Sequence, residues 1–520
     1  MNVIRLIFLS LAAAGILLLP MTALNISHFG QIHIERFREI TLLIYFCLMM
    51  FALLRKTPSS FVKKWSQTIC NTTESKHFFP IMAGSMLVLY ILAALTQHLS
   101  FNTYSHDFSM IDEALYNSHR ARFMFSPVLG RSFFGEHFSP ILILLIPLHF
   151  IFNTPYLLVL IQPIALWLSM LVLRKILVRE NLPAGIVNLT CLIYLNNPIM
   201  VSTLNYIFHM ECFLPLIIFA VFLYQREGAM LKYWAAILLA LTVKEDVGLY
   251  LLGFSAYLII VERKRRLGLI TAVISLIWFI IALKVVIPCF AGDTHYKYLS
   301  RWGHWGETPP GILTGFLQHP LTFMKALFSK QYLWLFSCLL FMPFYRKWSW
   351  LIFVIPWVIN STSSFSLQSK MSLYYGIPVL TFAVIGSIIG FKTTTFKTLS
   401  QSRLAPCLVC LAVILNISYL RYPPVPRERL QILRELRNIP ADKTIQAMSC
   451  FYPVLSYDRE KNLIEPGENL KAEYVILRTD STTWPFTEDQ AKVIAREAIE
   501  SGEYENVSGV KGFFILHHVQ

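Results

Sequence analysis

Long apolar runs alternate with short polar stretches over the first 420 residues of the chain. A helix needs about 20 apolar residues to cross a bilayer, and many of these runs approach that length. The pattern predicts an all-α, multi-span transmembrane protein with about thirteen spans. The predicted spans are residues 3–24, 39–54, 79–97, 155–174, 184–200, 212–224, 232–245, 247–261, 267–288, 331–345, 348–360, 372–390 and 403–420. The first also fits a cleaved signal peptide, and cleavage would leave the remaining topology unchanged.

A different pattern follows residue 420. Helical spacing from 427 to 438 places Leu430, Leu433 and Leu436 on one face, and a second helix is predicted near 488–499. Short β-like runs lie at 444–447, 474–477 and 513–516. We therefore predict three regions, which are an N-terminal membrane hairpin with a basic cytoplasmic loop at 1–78, a transmembrane core at 79–420, and a small α/β domain at 421–520.

Two long polar segments interrupt the apolar pattern, at about 98–154 and 288–331. The first contains the apolar run 138–152, which has prolines at both ends and only about 15 residues. A run this short predicts a re-entrant or interface-lying helix rather than a span. Counting it as a span would also move every later basic loop to the opposite side of the membrane.

The basic residues of the core predict its orientation. When the spans alternate, the loops rich in Lys and Arg all fall on one side, which the positive-inside rule identifies as cytoplasmic. These basic stretches are residues 55–64, 174–179, 226–232, 262–266, 346–347 and 392–403. We therefore expect a multi-pass protein of the cytoplasmic (inner) membrane, with its N-terminus inside and an extracytoplasmic C-terminal domain.

Composition agrees with a membrane location. Of the 520 residues, 55% are hydrophobic and only 14% are charged, whereas a soluble protein carries about 25% charged residues. The net charge of +15 does not require a nucleic-acid partner, because topology-determining loops account for it. The nine cysteines are scattered and show no metal-ligand spacing.

The acidic, histidine and lysine clusters near the spans fall on the side opposite the basic loops. Charged groups beside hydrocarbon are costly, so their clustering there predicts a functional site. The clusters are His106-Asp107, Asp112-Glu113, Glu136-His137, His209-Met210-Glu211 and Lys244-Glu245-Asp246. Structural roles are the alternatives. Asp107 could cap a helix, the groups near 136 and 209 could face interfacial water, and 244–246 could neutralise itself as a buried ion pair.

The clusters lie in four strings, SHDFSMIDEALYN, GEHFSPILILLIPLHFIF, NPIMVSTLNYIFHMECFLPL and LALTVKEDVGLYLLGF. Over roughly residues 80–310 the chain resembles the domain-of-unknown-function family 2079 of bacterial membrane proteins. That family is in turn similar to GT-C glycosyltransferases. The resemblance implies a GT-C-like helical bundle that takes a sugar from a polyprenyl-phosphate carrier on the extracytoplasmic side. It also implies three kinds of partner, namely the lipid bilayer, the lipid-linked sugar, and a glycan, lipid or protein acceptor.

The resemblance also suggests roles for the clustered residues. GT-C enzymes carry an acidic residue in their first large outer loop, a position matched by Asp107 with Asp112 and Glu113 nearby. Such a carboxylate takes the proton of the acceptor hydroxyl, while positive groups or a divalent cation (Mg or Mn) hold the leaving phosphate. The metal candidates are Asp107, His137 and His209. The expected substrate-binding residues are Arg131, Glu136, His137, His209, Glu211, Lys244, Glu245, Asp246 and Arg301.

Two other functions compete with sugar transfer. A transporter or flippase of a polar or lipid-linked substrate would place its site near the bilayer midplane, often on paired broken helices. The polar clusters here gather at one face, and the chain shows no matching second half. A non-catalytic membrane scaffold whose C-terminal domain binds a partner is the third possibility, and it predicts that replacing Asp107 or Lys244 has no effect.

Overall fold

The computed structural model describes residues 28–29, 32–33, 60–292, 296–391, 405–416, 418–480 and 484–519. The predicted spans 3–24 and 39–54 lie outside these described residues. So do the first part of the basic stretch 55–64 and the whole of 392–403.

Helices dominate the described residues between 60 and 415, as the apolar runs predict, because a helix satisfies its own backbone hydrogen bonds away from water. Side chains from α2, α5, α6, α8, α10 and α18 share one apolar core. The helices are α1 (Ser60–Glu74), α2 (Phe78–Leu99), α3 (Met110–Ser118), α4 (Ile146–Phe152), α5 (Tyr156–Arg179), α6 (Ala184–Asn196), α7 (Pro198–Leu204), α8 (Leu214–Glu227), α9 (Met230–Leu241), α10 (Val247–Ile260), α11 (Arg265–Ile281), α12 (Ile287–Ala291), α13 (Pro309–Gln318), α14 (Pro320–Leu327), α15 (Lys330–Cys338), α16 (Val354–Ser361), α17 (Ser366–Ser369), α18 (Ile377–Phe391) and α19 (Ala405–Leu415).

Few of these helices are long enough to cross a membrane. Within the described residues, α2, α5 and the continuous stretch Arg265–Ala291 have the required length and apolar character. Helices α6 and α7 form a fourth span only if their 47° bend lies inside one crossing. Helix α8, with 14 residues, is about 21 Å long, short of the roughly 30 Å hydrocarbon core. The total of thirteen spans therefore stays a prediction.

The apolar run 138–152 forms a 3₁₀ segment, Pro140–Leu145, that leads into the short helix α4. This segment is too short to span a bilayer, in keeping with the predicted re-entrant or interfacial helix. Its apolar end, Phe150 to Phe152, is largely exposed. Exposed aromatic and aliphatic side chains at this end suit a lipid surface better than water.

The chain after residue 420 forms a five-stranded mixed sheet with two helices, α20 (Arg429–Asn438) and α21 (Glu488–Glu500). The strand order is β6-β5-β7-β9-β8, in which β5 runs parallel to both β6 and β7. Two small hairpins precede this sheet in the chain. The strands are β1 (His28–Phe29), β2 (Ile32–His33), β3 (Phe125–Ser126), β4 (Arg131–Ser132), β5 (Ile445–Ala447), β6 (Lys461–Leu463), β7 (Tyr474–Arg478), β8 (Tyr504–Asn506) and β9 (Phe513–His518).

The buried face of α20 differs from the predicted one. Ile432 and Leu436 are buried against the sheet and Leu433 is partly buried, but Leu430 is 69% exposed. A helix turn takes 3.6 residues, so each step of three residues shifts the side chain around the helix axis. Over the six positions from Leu436 back to Leu430 this shift moves Leu430 away from the face that packs on the sheet. The pair Ile432 and Leu436, four residues apart, faces the core instead.

Candidate functional site

A buried ion pair lies where two helix ends meet. Lys244 follows α9, Glu211 precedes α8, and the Lys244 Nζ lies 2.7 Å from the Glu211 Oε1. The other Glu211 oxygen contacts the Nδ1 of His209. Both Lys244 and Glu211 are almost completely buried. The Lys244 charge is therefore balanced by a residue from a distant segment, and the 244–246 cluster does not simply neutralise itself.

Glu245 faces a second histidine. The Nδ1 of His137 lies 2.8 Å from the Glu245 Oε1, and the backbone N–H of Phe138 donates to the Oε2 at 3.1 Å. The Tyr296 hydroxyl also donates to Glu245, at 2.8 Å. Burial and the positive charge of Lys244 lower the pKa of His137, against the opposing effect of Glu245. A neutral His137 then donates through Nδ1–H and leaves Nε2 as an acceptor.

Glu136 is held by positive groups from the two long polar segments, 98–154 and 288–331. Arg131 Nη2 donates to its Oε2 at 3.1 Å, while Lys297 and the Tyr298 hydroxyl both contact its Oε1. Burial raises the pKa of Glu136, but the hydrogen bonds from Lys297 and Tyr298, with the charge of Lys297, lower it to about 2. The carboxylate is therefore charged throughout the physiological pH range.

Replacing Glu136 by Gln should make stability depend less on pH. Because the pKa of Glu136 is lower in the folded protein than its ordinary value of 4.5, its charged form stabilises the fold above pH 4.5. That contribution is lost as the pH falls toward 2. We expect Glu136→Gln to lower the free energy of unfolding at pH 7 by on the order of 2 kcal/mol and by almost nothing near pH 2. Denaturant titrations of both proteins in detergent check this, and an equal deficit at both pH values would contradict it.

Asp107 lies in a strained turn between α2 and α3. Its backbone has φ 64° and ψ −60°, the geometry of a classic γ-turn, which is rare for residues other than glycine. Asp107 does not cap α3, because that helix begins after Ser109 and no side chain caps its first turn. The Asp107 Oδ2 instead accepts a hydrogen bond from the Tyr206 hydroxyl at 2.9 Å.

Aromatic rings connect Asp107 to the buried ion pair. Tyr206 lies 5.9 Å from Tyr374 between ring centroids, and Tyr374 stacks on His209 at 3.5 Å. The Lys244 Nζ lies 5.8 Å from the centre of the Tyr374 ring. The ring centroids of His209 and His137 are 6.5 Å apart. Glu245 and its partners, His137 and Tyr296, therefore adjoin the Lys244–Glu211 ion pair. We call this set the polar constellation, and its members are Asp107, Glu136, His137, Tyr206, His209, Glu211, Lys244, Glu245, Asp246, Tyr296, Tyr298, Arg301 and Tyr374.

Arg301 is the least neutralised cation of the polar constellation. Its guanidinium lies 4.5 Å from the ring centres of both Tyr298 and Phe365, and its Nη1 donates to the Gln368 Oε1 at 3.0 Å. Among the described residues it has no carboxylate partner, whereas Arg131 and Lys244 each have one. The positive charge of Arg301 is therefore not neutralised by a neighbouring carboxylate and can interact with an anionic ligand.

Asp246 completes the polar constellation beside Lys244. One of its oxygens accepts a hydrogen bond from the Tyr250 hydroxyl at 2.7 Å. The other, Oδ1, is buried and has no hydrogen-bond partner within the part of the chain that the structure describes. A buried acceptor without a partner is costly, so a hydrogen-bond donor beside this oxygen would stabilise the site.

Asp112 and Glu113 lie elsewhere, at the junction with the C-terminal sheet. The Tyr457 hydroxyl donates to the Asp112 Oδ2 at 2.6 Å, and the other Asp112 oxygen lies 3.2 Å from the His149 Nε2. The Lys461 Nζ lies 2.6 Å from the Glu113 Oε1. Both carboxylates therefore attach helix α3 to the sheet, and the structure does not bring them to Asp107.

The three predicted metal candidates each have a different partner. Among the described residues, no group of three or more His, Cys, Asp and Glu side chains is placed to hold an ion. Asp107 contacts Tyr206, while His137 and His209 each face a different glutamate. The divalent cation therefore stays a prediction, and no step of the proposed reaction depends on it.

Sequence reasoning missed several members of the polar constellation. Tyr206 and Tyr374 are uncharged, and their sequence surroundings are typical of tyrosines at a membrane interface. The sequence therefore did not identify them as site residues. Lys297, which is not a member but contacts Glu136, also went unnoticed, although it lies in the second long polar segment with Tyr296 and Tyr298. The available signal was the density of aromatic residues in the long polar segments, a density that is also typical of interfacial anchoring.

Comparison with known proteins places the chain in a family. The family model described as a predicted membrane protein (DUF2079) matches residues 97–514, and the chain belongs to that family. This confirms the resemblance seen over residues 80–310, and the match continues through most of the C-terminal sheet. No curated protein sequence matches the chain.

The fold is similar to that of a solved GT-C glycosyltransferase. The crystal structure of ArnT from Cupriavidus metallidurans bound to undecaprenyl phosphate matches with a TM-score of 0.51. The match covers 84% of this chain and 97% of that one, at 11% sequence identity. Identity this low shows a shared fold, and the chemistry must be argued from the residues themselves.

Proposed function

We propose that this protein is a membrane glycosyltransferase. It transfers a sugar from a polyprenyl-phosphate donor to an acceptor of the cell envelope, at the extracytoplasmic side of the membrane. The observation that carries the proposal is the position of Asp107, in a strained turn and linked through Tyr206 and Tyr374 to the buried Lys244. Strained residues cluster at active sites, where the surrounding structure holds them. The similarity to ArnT, which was crystallised with undecaprenyl phosphate, supports the class of donor.

In the proposed sugar transfer, the charged groups of the polar constellation act as a base and stabilise the leaving phosphate. The Asp107 carboxylate takes the proton of the acceptor hydroxyl as the hydroxyl oxygen bonds to the anomeric carbon of the sugar. The bond from that carbon to the phosphate oxygen breaks, and its electron pair leaves with the polyprenyl phosphate. Arg301 and Lys244 stabilise the negative charge that develops on the phosphate. In the proposed complex, the Oδ1 of Asp246 and the Nε2 of His137 accept hydrogen bonds from sugar hydroxyls.

Sugar transfer in a reconstituted system tests the proposal. Purified full-length protein in liposomes is given undecaprenyl-phosphate sugars with a radiolabelled sugar, together with membrane extract from cells that lack the protein. We expect label to move from the lipid carrier to an acceptor fraction only when the protein is present. A protein that moves the intact lipid-linked sugar across the bilayer without cleaving it would be a flippase. Absence of both transfer and movement with every sugar tested would favour a scaffold.

A further inference from the structure

A polar cavity of about 620 Å³ lies away from the polar constellation, at the edge of the C-terminal sheet. Strands β5 and β6 form one wall, and Pro127 and Val128, from the outer loop that carries Asp107, close the other side. Its volume falls within the roughly 300–1,000 Å³ of ligand sites. Its lining is mostly polar, so it does not suit a lipid tail or another apolar ligand.

Two amide side chains stand next to each other on the wall. Gln446 and Asn462 are partners in the parallel register of β5 and β6, so they project from the same face of the sheet. The Gln446 Oε1 accepts hydrogen bonds from the backbone N–H groups of Lys471 and Ala472, at 2.7 Å and 3.0 Å. Gln446 is only 7% exposed, yet its Nε2 has no partner among the described residues. The fixed Oε1 leaves this Nε2 group as a donor for a ligand in the cavity.

The charges around the cavity disfavour an anion. Lys461, at its floor, is nearly fully buried and is already paired with Glu113 at 2.6 Å. Of the other charged lining residues, Glu465 and Glu468 carry negative charge and Lys471 carries positive charge, which leaves an excess of one negative charge. A phosphate or an acidic polymer would find no unpaired cation at the floor and would be repelled at the rim.

We propose that this cavity binds a neutral carbohydrate. Amide groups both donate and accept hydrogen bonds, as sugar hydroxyls do, and the cavity offers Gln446 and Asn462 side by side. We further infer that the bound sugar belongs to the acceptor glycan, and only this identification rests on the proposed function. The cavity contacts the loop of Asp107, so a glycan held here would have its outer units in the sheet and its reacting end toward the membrane core.

Isosteric variants test the cavity. Gln446→Glu keeps the oxygen that accepts from Lys471 and Ala472 but replaces the free donor with an acceptor, and Asn462→Asp makes the same change on β6. Binding of purified full-length protein in detergent to an array of neutral and acidic oligosaccharides is the measurement. We expect the parent to bind neutral oligosaccharides, and each variant to bind them about tenfold more weakly. The matched control is Asn506→Asp on β8, the opposite edge of the sheet, which should bind as the parent does.

Three results would overturn this proposal, given that thermal unfolding shows the variants to be folded. They are a parent that binds none of the oligosaccharides, variants that bind as tightly as the parent, and a preference for acidic glycans. The test is independent of sugar transfer. A protein that binds neutral glycans through Gln446 but transfers no sugar would support the cavity and contradict the proposed enzyme. A protein that transfers sugar but does not bind neutral glycans at the cavity would support the proposed enzyme and contradict the proposed binding site.

Discussion

Replacing Asp107 by Asn should lower sugar transfer about 10²- to 10⁴-fold, the contribution usual for a general base. The variant removes the proton acceptor and little else. Asparagine tolerates a positive φ better than most residues, so the turn at φ 64° is preserved, and its amide oxygen can still accept from Tyr206. The initial rate of radiolabel transfer at saturating donor is the measurement. Binding of undecaprenyl phosphate should be unchanged, because the carboxylate acts on the acceptor.

Asp458→Asn is the matched control for this variant. Asp458 is an exposed carboxylate that accepts a hydrogen bond from Tyr116 at 2.6 Å, on the side of α3 that faces the C-terminal sheet. Its replacement should leave the transfer rate within about twofold of the parent, since exposed ion pairs contribute little. Asp112→Asn is a more demanding comparison. If it lowered the transfer rate as much as Asp107→Asn without lowering stability, the assignment of the base to Asp107 would be wrong.

Replacing Lys244 by Met should destabilise the protein by about 3–5 kcal/mol, because Glu211 would keep a buried negative charge without its ammonium partner. The double variant Lys244→Met/Glu211→Gln removes both charges and should recover most of this loss. Neither variant should bind undecaprenyl phosphate as the parent does, since the cation proposed to contact the phosphate is absent from both. The free energy of unfolding in detergent and the affinity for the lipid phosphate are measured side by side.

This pair of variants separates a structural role from a functional one. If the double variant regained both stability and lipid binding, Lys244 would serve only to neutralise Glu211. Lys492→Met is the surface control, because Lys492 forms an exposed pair with Glu488 on α21 and should change neither quantity. If Lys244→Met were as stable as the parent, the buried ion pair would not hold the ends of α8 and α9 together as described.

Much of the architecture could be predicted from local pattern. Helices α2 and α5, the short segment before α4 and the three β-like runs follow from apolar periodicity and from the length of each run. Helices α8 and α10 also lie close to their predicted bounds, whereas α9 ends at Leu241 instead of 245. The end of α9 could not be predicted, because an apolar run does not show where polar residues such as Lys244 break the helix. The prediction that Leu430 shares the buried face of α20 was wrong. Three leucines spaced three residues apart suggest one apolar face, but the face that packs on the sheet contains Ile432 instead of Leu430.

For the site, the sequence by itself determined which ionisable groups are costly near a membrane, since that cost depends only on residue type and apolar surroundings. Asp107, His137, His209 and Lys244 are site candidates on that ground alone. Only the tertiary structure decided how they group, because long-range contacts between helix ends leave no periodic signal. It brought Glu211 to Lys244 and Tyr206 to Asp107, and it drew Asp112 and Glu113 away to the C-terminal sheet. Three carboxylates that are close in sequence thus have different surroundings, because Tyr206 contacts Asp107 whereas Tyr457 contacts Asp112 and Lys461 contacts Glu113, and these partners lie about 100 to 350 residues away in the chain.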